Sequence, residues 1–263
     1  MNKRPLLLKV LPARLRLWVY YRHYRQRHDE WRDLFSMATL SDCPSVTMYD
    51  LVPGDEISGS IAFTGFYEWA LTKQLAQDAR RGGLLVDVGA NMGYFALLWA
   101  GVSTTGRVVA FEAAPRNVTL LTNNVRRNHY EDRVTVVPQA AGDRKCEMTF
   151  DTGPAEQTGW GGIAVGLPQN SIVVPMVRLD EQLPDAEIDV LKIDTEGADA
   201  LVLFGCERLL KARRIRTIYF EDNPDKRRRI GVKERAAQDF LERMNYKCHS
   251  FQGSKSEWCA HPA

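Results

Sequence analysis

Three carboxylates stand where short apolar runs give way to loops: Asp87 in LLVDVGANMGYF, Glu112 in RVVAFEAAP and Asp194 in IDVLKIDTEG. Each run has strand character and is followed by a helical pattern, which puts the acids near the carboxyl ends of neighbouring parallel strands. Negative charge there repels phosphates and suits a ligand with an ammonium, a sulfonium and a ribose diol. S-adenosylmethionine is such a ligand, and Glu112 can accept from both ribose hydroxyls, as an acidic residue does for a dinucleotide ribose.

The loop after Asp87 points the same way. A dinucleotide loop needs glycine at its middle position so that backbone can approach a pyrophosphate. Here the positions read Gly89, Ala90, Asn91, Met92 and Gly93, and the Asn91 side chain would take the pyrophosphate's place. No Gly-Lys-Ser/Thr follows, which excludes a triphosphate loop. Singly, each residue also has a structural role open to it. Gly89 and Gly93 suit a tight turn, Asp87 could bond loop amides, and Glu112 could sit beside a helix N-terminus. Jointly they favour a cofactor site.

Methyl transfer from a sulfonium is an in-line displacement, and an alcohol acceptor must lose its proton as the bond forms. Alternation along Lys192-Ile193-Asp194 puts Lys192 and Asp194 on one face, with Asp194 at the mouth of the sheet. Asp194 is the first candidate for the base or for the group that orients the acceptor. Lys192 would hold the pair in register or, if desolvated, serve as a base itself. Glu196 is open to two readings, raising the pKa of Asp194 or stabilising the next helix through its dipole. Asp194 with Glu221, Asp222 and Asn223 could hold magnesium, although such strand-end acids are often turn formers and no metal is expected. Trp160, in the glycine-rich TGWGGIAVG, could stack on a sugar ring, and His249 is a second substrate-side candidate; packing roles are open to both.

These residues need a scaffold. Strands are expected at 84–88, 107–111, 133–137, 188–193 and 214–220, with helices at 93–100, 116–128, 198–211 and 232–244 between or after them. That alternation means a doubly wound α/β sheet with parallel strands. A digression near 147–177 interrupts it, and YKCHSF-QGSKS-EWCAH reads as a closing antiparallel hairpin. Ahead of the core, FTGFYEWALTKQLAQDAR reads as a loop entering a helix that ends at Gly82-Gly83, and residues 41–60 as a small strand region.

The chain of 263 residues carries a net charge of +2, too balanced to signal nucleic acid globally. Five cysteines without a CxxC pair suggest a reduced, cytoplasmic compartment. Basic residues break the apolar start of the chain, so neither a signal peptide nor a membrane span is expected. Residues 15–35, rich in Arg, Trp and Tyr, read as one helix that either faces a membrane surface or glycolipid or docks on its own domain or a second subunit. The run DKRRRIGVKER at 225–235 offers a rival reading, an RNA or anionic-surface methyltransferase, although it lacks interleaved aromatics.

VDVGANMGYF, VVAFEAAPRNVTLLTNNVRRN, VRLDEQL and DVLKIDTEGADALVLFGCERLL together resemble, in order and spacing, the FkbM family of class I S-adenosylmethionine-dependent methyltransferases. The resemblance covers roughly residues 61–222, with KIDTEG as its most specific part. It implies a seven-stranded Rossmann-like methyltransferase domain at 61–263 behind an extension at 1–60. It also implies O-methylation of a hydroxyl on a sugar, glycolipid or glycosylated natural product, with a peptide or polyketide acceptor as the alternative. By the same resemblance, Asp87, Gly89, Asn91 and Gly93 would hold the methionine end of the cofactor, Glu112 would clamp the ribose, and Ala140 and Ala141 would border the adenine, with Ala90, Tyr94, Ala113 and Asp194 also among the cofactor's contacts. Tyr67 and Glu68 match the family's aromatic-Glu pair and would close over the cofactor. FEAAP departs from the commoner FEPxP and should alter only the turn after Glu112.

Overall fold

A computed structural model describes residues 4–166 and 169–263 of the chain. The N-terminal segment comprises α1 (Leu6–Val10), α2 (Ala13–His23), a 3-10 segment at His28–Phe35, and the antiparallel pair β1 (Met37–Thr39) and β2 (Thr47–Tyr49). Next come α3 (Glu56–Thr64) and α4 (Trp69–Ala79). The core then alternates through β3 (Leu84–Val88), α5 (Tyr94–Val102), β4 (Arg107–Phe111), α6 (Pro115–Arg127) and β5 (Val134–Val137). The digression comprises β6 (Ala140–Ala141), β7 (Cys146–Asp151), β8 (Gly162–Ile163) and β9 (Ser171–Val177), followed by α7 (Leu179–Gln182). Alternation resumes with β10 (Ile188–Ile193), α8 (Asp199–Phe204), α9 (Glu207–Lys211), β11 (Ile215–Glu221), α10 (Pro224–Arg229) and α11 (Ala236–Arg243). The hairpin of β12 (Tyr246–Ser250) and β13 (Glu257–Pro262) closes the chain.

The central sheet has seven strands in the order β12-β13-β11-β10-β3-β4-β5, parallel except for the hairpin, whose β13 inserts antiparallel beside β11. This is the α/β, class I methyltransferase arrangement expected from the sequence. From β3 the chain winds outward through β4 and β5, then returns to lay β10 on the other side of β3. The crevice at that switch point is where doubly wound sheets receive ligands. A separate four-stranded sheet, β6-β9-β7-β8, forms from the digression.

The strands alternate their side chains between two cores. Val86 and Val88 of β3 face α8, α9 and α11, whereas Leu85 faces the side built from α3 to α6 and the N-terminal helices. Residues of the extension thus share one hydrophobic core with β3 and α5. Phe63, fully buried in α3, ties it together by ring contacts with Tyr20, Tyr24, His28, Trp31 and Phe35.

Two expected helices are divided and a third starts late. The single helix over 15–35 is not formed: α2 stops at His23, and the chain turns so that His28 is buried, bonded to the Tyr20 hydroxyl at 3.1 Å and to the Gly54 amide at 3.0 Å. The helix over 198–211 divides into α8 and α9 at Gly205, where a Cβ would lie 2.1 Å from the Gly142 carbonyl oxygen. The helix over 232–244 starts only at Ala236, because Arg235 is left-handed at φ 58°. Periodicity does not see the first two breaks, since His28 answers to Gly54 and Gly205 to Gly142.

Phe63→Ala is expected to lower stability by about 3–5 kcal/mol. Urea unfolding followed by both tryptophan fluorescence and far-UV circular dichroism should give one coincident transition, because the extension and the sheet share a core. Two separated transitions would show that the extension folds independently.

Candidate active site

The site begins with a pair of residues in register. Lys192 of β10 lies opposite Asp87 of β3, both buried, with the ammonium 3.2 Å from Asp87 Oδ1. The same ammonium lies 3.6 Å from Asp194 Oδ2, 3.4 Å from the Gly89 carbonyl oxygen and 5.2 Å from the centre of the Phe95 ring. Burial works against its charge, but Asp87, Asp194 and Glu68 outweigh burial and hold the Lys192 pKa above its ordinary value. Lys192 is therefore a fixed cation. Of the two roles foreseen for Lys192, holding the pair in register matches this geometry and serving as a desolvated base does not.

Gly89, left-handed at φ 76°, brings two loops together. A Cβ there would sit 1.9 Å from the Asp194 carbonyl oxygen, so only glycine lets the β3 loop pass beneath the β10 loop. Asn91 is also left-handed, at φ 51°, a conformation asparagine tolerates. Its amide donates to Glu112 Oε2 at 2.7 Å, and the Ala114 amide donates to Oε1 at 2.8 Å. Glu112 thus shapes its own loop, and its remaining lone pairs are available to a diol. Burial raises its pKa against those bonds.

These elements open into a cavity of about 500 Å³. Of the expected site residues, the cavity is lined by Tyr67, Glu68, Gly89, Ala90, Asn91, Tyr94, Glu112 and Ala113, and by Ala140, Ala141, Trp160, Lys192, Asp194 and Glu196. Asp87 and Gly93 lie behind this wall, Asp87 beneath Lys192 and Gly93 at the start of α5 against Leu121. The Tyr94 hydroxyl is 3.1 Å from Thr72 Oγ1. His249 is a correction. It lies on β12 at the sheet's far edge, outside the cavity lining, stacked on His261.

The β10 loop is held by a residue the sequence reading missed. Asp199, buried, accepts from Thr195 Oγ1 at 2.9 Å and from the Glu221 amide at 3.0 Å. Burial and then the nearby Asp194 push its pKa to about 6. Glu196 precedes α8 in a left-handed turn at φ 56° and ion-pairs with Lys226, so neither of the roles foreseen for it describes its main contact. The diad of Asp222 and Asn223 is otherwise engaged. Asp222 accepts from Arg227 at 2.6 Å and Gln238 at 3.0 Å, and Asn223 caps α10, which takes both out of a magnesium site.

Glu221 does line the cavity, together with Glu257 and Trp258, and none of the three was foreseen as part of it without a metal. Burial and then Asp194 raise Glu221 to about 7 and Glu68 to about 8. Asp55 was missed as well. It caps α3 through the Ser58 amide at 2.7 Å and accepts from the Thr158 amide at 2.8 Å, so the digression's loop becomes a wall of the cavity. Residues 41–60 were expected as a small strand region, so neither the helix that Asp55 caps nor its partner 103 residues away was foreseen.

The methyltransferase FkbM domain model matches residues 87–248, more than half of the chain. Nothing among curated protein sequences matches it. Among solved structures, an FkbM methyltransferase from Methylobacillus flagellatus is 17% identical over 68% of this chain and 43% of its own, with a TM-score of 0.48. This chain therefore spans less than half of that protein's length. A methyltransferase from Podospora anserina, solved with SAH bound, is 10% identical over 73% of this chain and 78% of its own, at 0.49. An O-methyltransferase from Bacillus cereus, in complex with SAH, is 15% identical over 74% and 81%, at 0.43.

Lys192→Met leaves Asp87 buried without its cation and should cost about 3–5 kcal/mol in urea unfolding. Burial already raises the Asp87 pKa, and without the ammonium it rises further. The deficit should therefore shrink toward acid pH, where Asp87 takes a proton, and grow toward pH 8. A pH-independent deficit would show that the pair is not electrostatic in origin.

Proposed function

The chain belongs to the FkbM methyltransferase family, and from that premise we propose that it methylates a hydroxyl oxygen of a sugar, glycolipid or glycosylated natural product. The methyl donor of such an enzyme is S-adenosylmethionine, which when bound supplies an electrophilic methyl group on a sulfonium. The residues present fit it. Asp87 and Asp194 flank one ammonium, leaving an excess of negative charge for a cationic ligand even with Glu68, raised to about 8, largely protonated near neutrality. Asn91 Oδ1 is buried on the cavity wall without a hydrogen-bond partner, an acceptor that suits a ligand's N–H or O–H. Gly89, Asn91 and Glu68 would hold the methionine end, Glu112 the ribose, and Ala113, Ala140 and Ala141 the adenine.

The observation that carries an oxygen acceptor is the trio of Asp194, Glu221 and Glu257 on one side of the cavity, with Glu221 raised to about 7. A carboxylate poised near neutrality can take an alcohol's proton as its oxygen is methylated. Asp194, held toward Lys192, would accept the hydroxyl's hydrogen bond and orient it, and Glu221 would receive the proton. Trp160 and Trp258 offer aromatic faces to a sugar ring. Glu68, buried at the cofactor end, closes the cavity with Tyr67.

The RNA reading loses its main support. In the 225–235 cluster, Lys226 pairs with Glu196, Arg227 with Asp222, Arg228 with Asp225, and Arg235 with Asp239 and Glu242. Cations so neutralised contribute little to phosphate binding.

S-adenosylhomocysteine should raise the melting temperature with occupancy, and Glu112→Ala should reduce that rise. Asp194→Ala should retain the rise while lowering kcat by about 10²-fold or more. The rate should climb as pH passes through about 7, where Glu221 loses its proton. Because Asp194 raises Glu221, the residual rate of Asp194→Ala should climb at lower pH than that of the parent. Full activity in Asp194→Ala would remove the orienting role.

A further inference from the structure

The outer face of α1 and α2 carries apolar side chains where a surface helix ordinarily carries charge. Leu6 is 76% exposed, Val10 70% and Trp18 59%, with Leu7, Leu15 and Tyr21 also out in solvent. Among the described residues only Met37, Trp160, Val165 and Val173 are comparable elsewhere, so the exposed apolar surface is concentrated in this one segment. The segment is firmly seated. Leu8, Val19 and Tyr20 are buried beneath it, Arg4 donates to the carbonyl oxygens of Ala62 and Thr39 at 2.8 Å, and Arg16 donates to that of Thr64 at 2.6 Å. The apolar face is therefore a built surface of the fold.

Charge selects its occupant. Lys9, Arg14 and Arg22 are exposed on the same two helices, and among the described residues none has a carboxylate within ion-pairing distance. The acids that follow are engaged locally, Asp29 by Arg32 and Glu30 by Arg27. A second copy of this chain, meeting the face by two-fold symmetry, would bring like charges together. An anionic lipid surface satisfies both components, taking the apolar side chains into the headgroup boundary and the cations against phosphates. Among the described residues no helix is long and apolar enough to cross a membrane, so such binding is peripheral.

The face is continuous with the active site. Leu17 and Tyr21 of α2 line the cavity, and Arg25, just beyond α2, pairs with Glu56 on its wall. We propose that α1 and α2 dock the protein on anionic membranes and that the acceptor reaches the cavity as the polar head of a lipid-carried molecule. The second half of this inference rests on the hydroxyl-methylating function proposed above; the docking does not.

Co-sedimentation with vesicles of phosphatidylcholine plus phosphatidylglycerol, against phosphatidylcholine alone, tests the docking. The protein should pellet with the anionic vesicles and less so at high salt. Trp18→Ser should weaken binding about tenfold, and Lys9→Glu or Arg22→Glu at least about fivefold each. All three positions are exposed, so the variants should keep the parent's S-adenosylhomocysteine melting shift. Failure of the parent to pellet, or pelleting unchanged by Trp18→Ser, would overturn the proposal. So would light scattering that finds a dimer which Trp18→Ser dissociates, since a second copy would then be the occupant. Vesicle binding without methyl incorporation into the lipid fraction of a native extract, while soluble glycosides are labelled, would leave the docking intact and remove the lipid-carried acceptor.

Discussion

A single buried ammonium organises this molecule's chemistry. Lys192 is set opposite Asp87 by strand register at the point where the sheet changes winding direction. In that low-dielectric position neither charge is tolerable alone. Asp194 is drawn to the same ammonium, and the two aspartates leave the crevice with more negative than positive charge although Glu68, raised to about 8, is largely protonated near neutrality. The same arrangement puts the Asp194 carbonyl against Gly89, so the β3 and β10 loops pack directly on one another. A site that must hold a cation and direct an oxygen toward it gains both properties from one ion cluster.

The remaining walls come from parts of the chain far from the sheet's loops. Asp55 joins the start of α3 to Thr158, while Arg116 and Asn117 of α6 donate to the carbonyl oxygens of Gln157 and Thr158. The inserted sheet is thereby held over the cavity's open side. The Phe63 cluster seats the N-terminal helices on the same core, which is how Tyr21 comes to share the cavity wall and the exposed face. Cofactor side, acceptor side and outer surface are in this way mechanically connected.

Much of the fold was legible because its signals are local. β3, β4 and β10 lie where apolar runs and turns place them, and the closing hairpin forms around QGSKS. The helix breaks at Tyr24 and Gly205 were not legible, since each depends on contacts with residues remote in sequence. Of the site, the glycine loop, Glu112, Lys192 and Asp194 were found from residue type and strand position. Asp55, Asp199 and Glu257 look like ordinary surface acids in the sequence, Glu221 was read there only as a possible magnesium ligand, and His249, a substrate-side candidate in the sequence, stands at the far edge of the sheet.

By itself, then, the sequence determined the alternation of strands and helices, the unsuitability of the Asn91 loop for a pyrophosphate, and the family. Those properties depend on stereochemistry and periodicity within a few residues. Only the tertiary structure decided that Lys192 is held as a cation, that Glu196 and, in the 225–235 run, Lys226, Arg227, Arg228 and Arg235 are engaged in ion pairs, and that α1 and α2 show an apolar face to solvent. Charge state and exposure belong to no residue alone; they are set by what the fold packs against it.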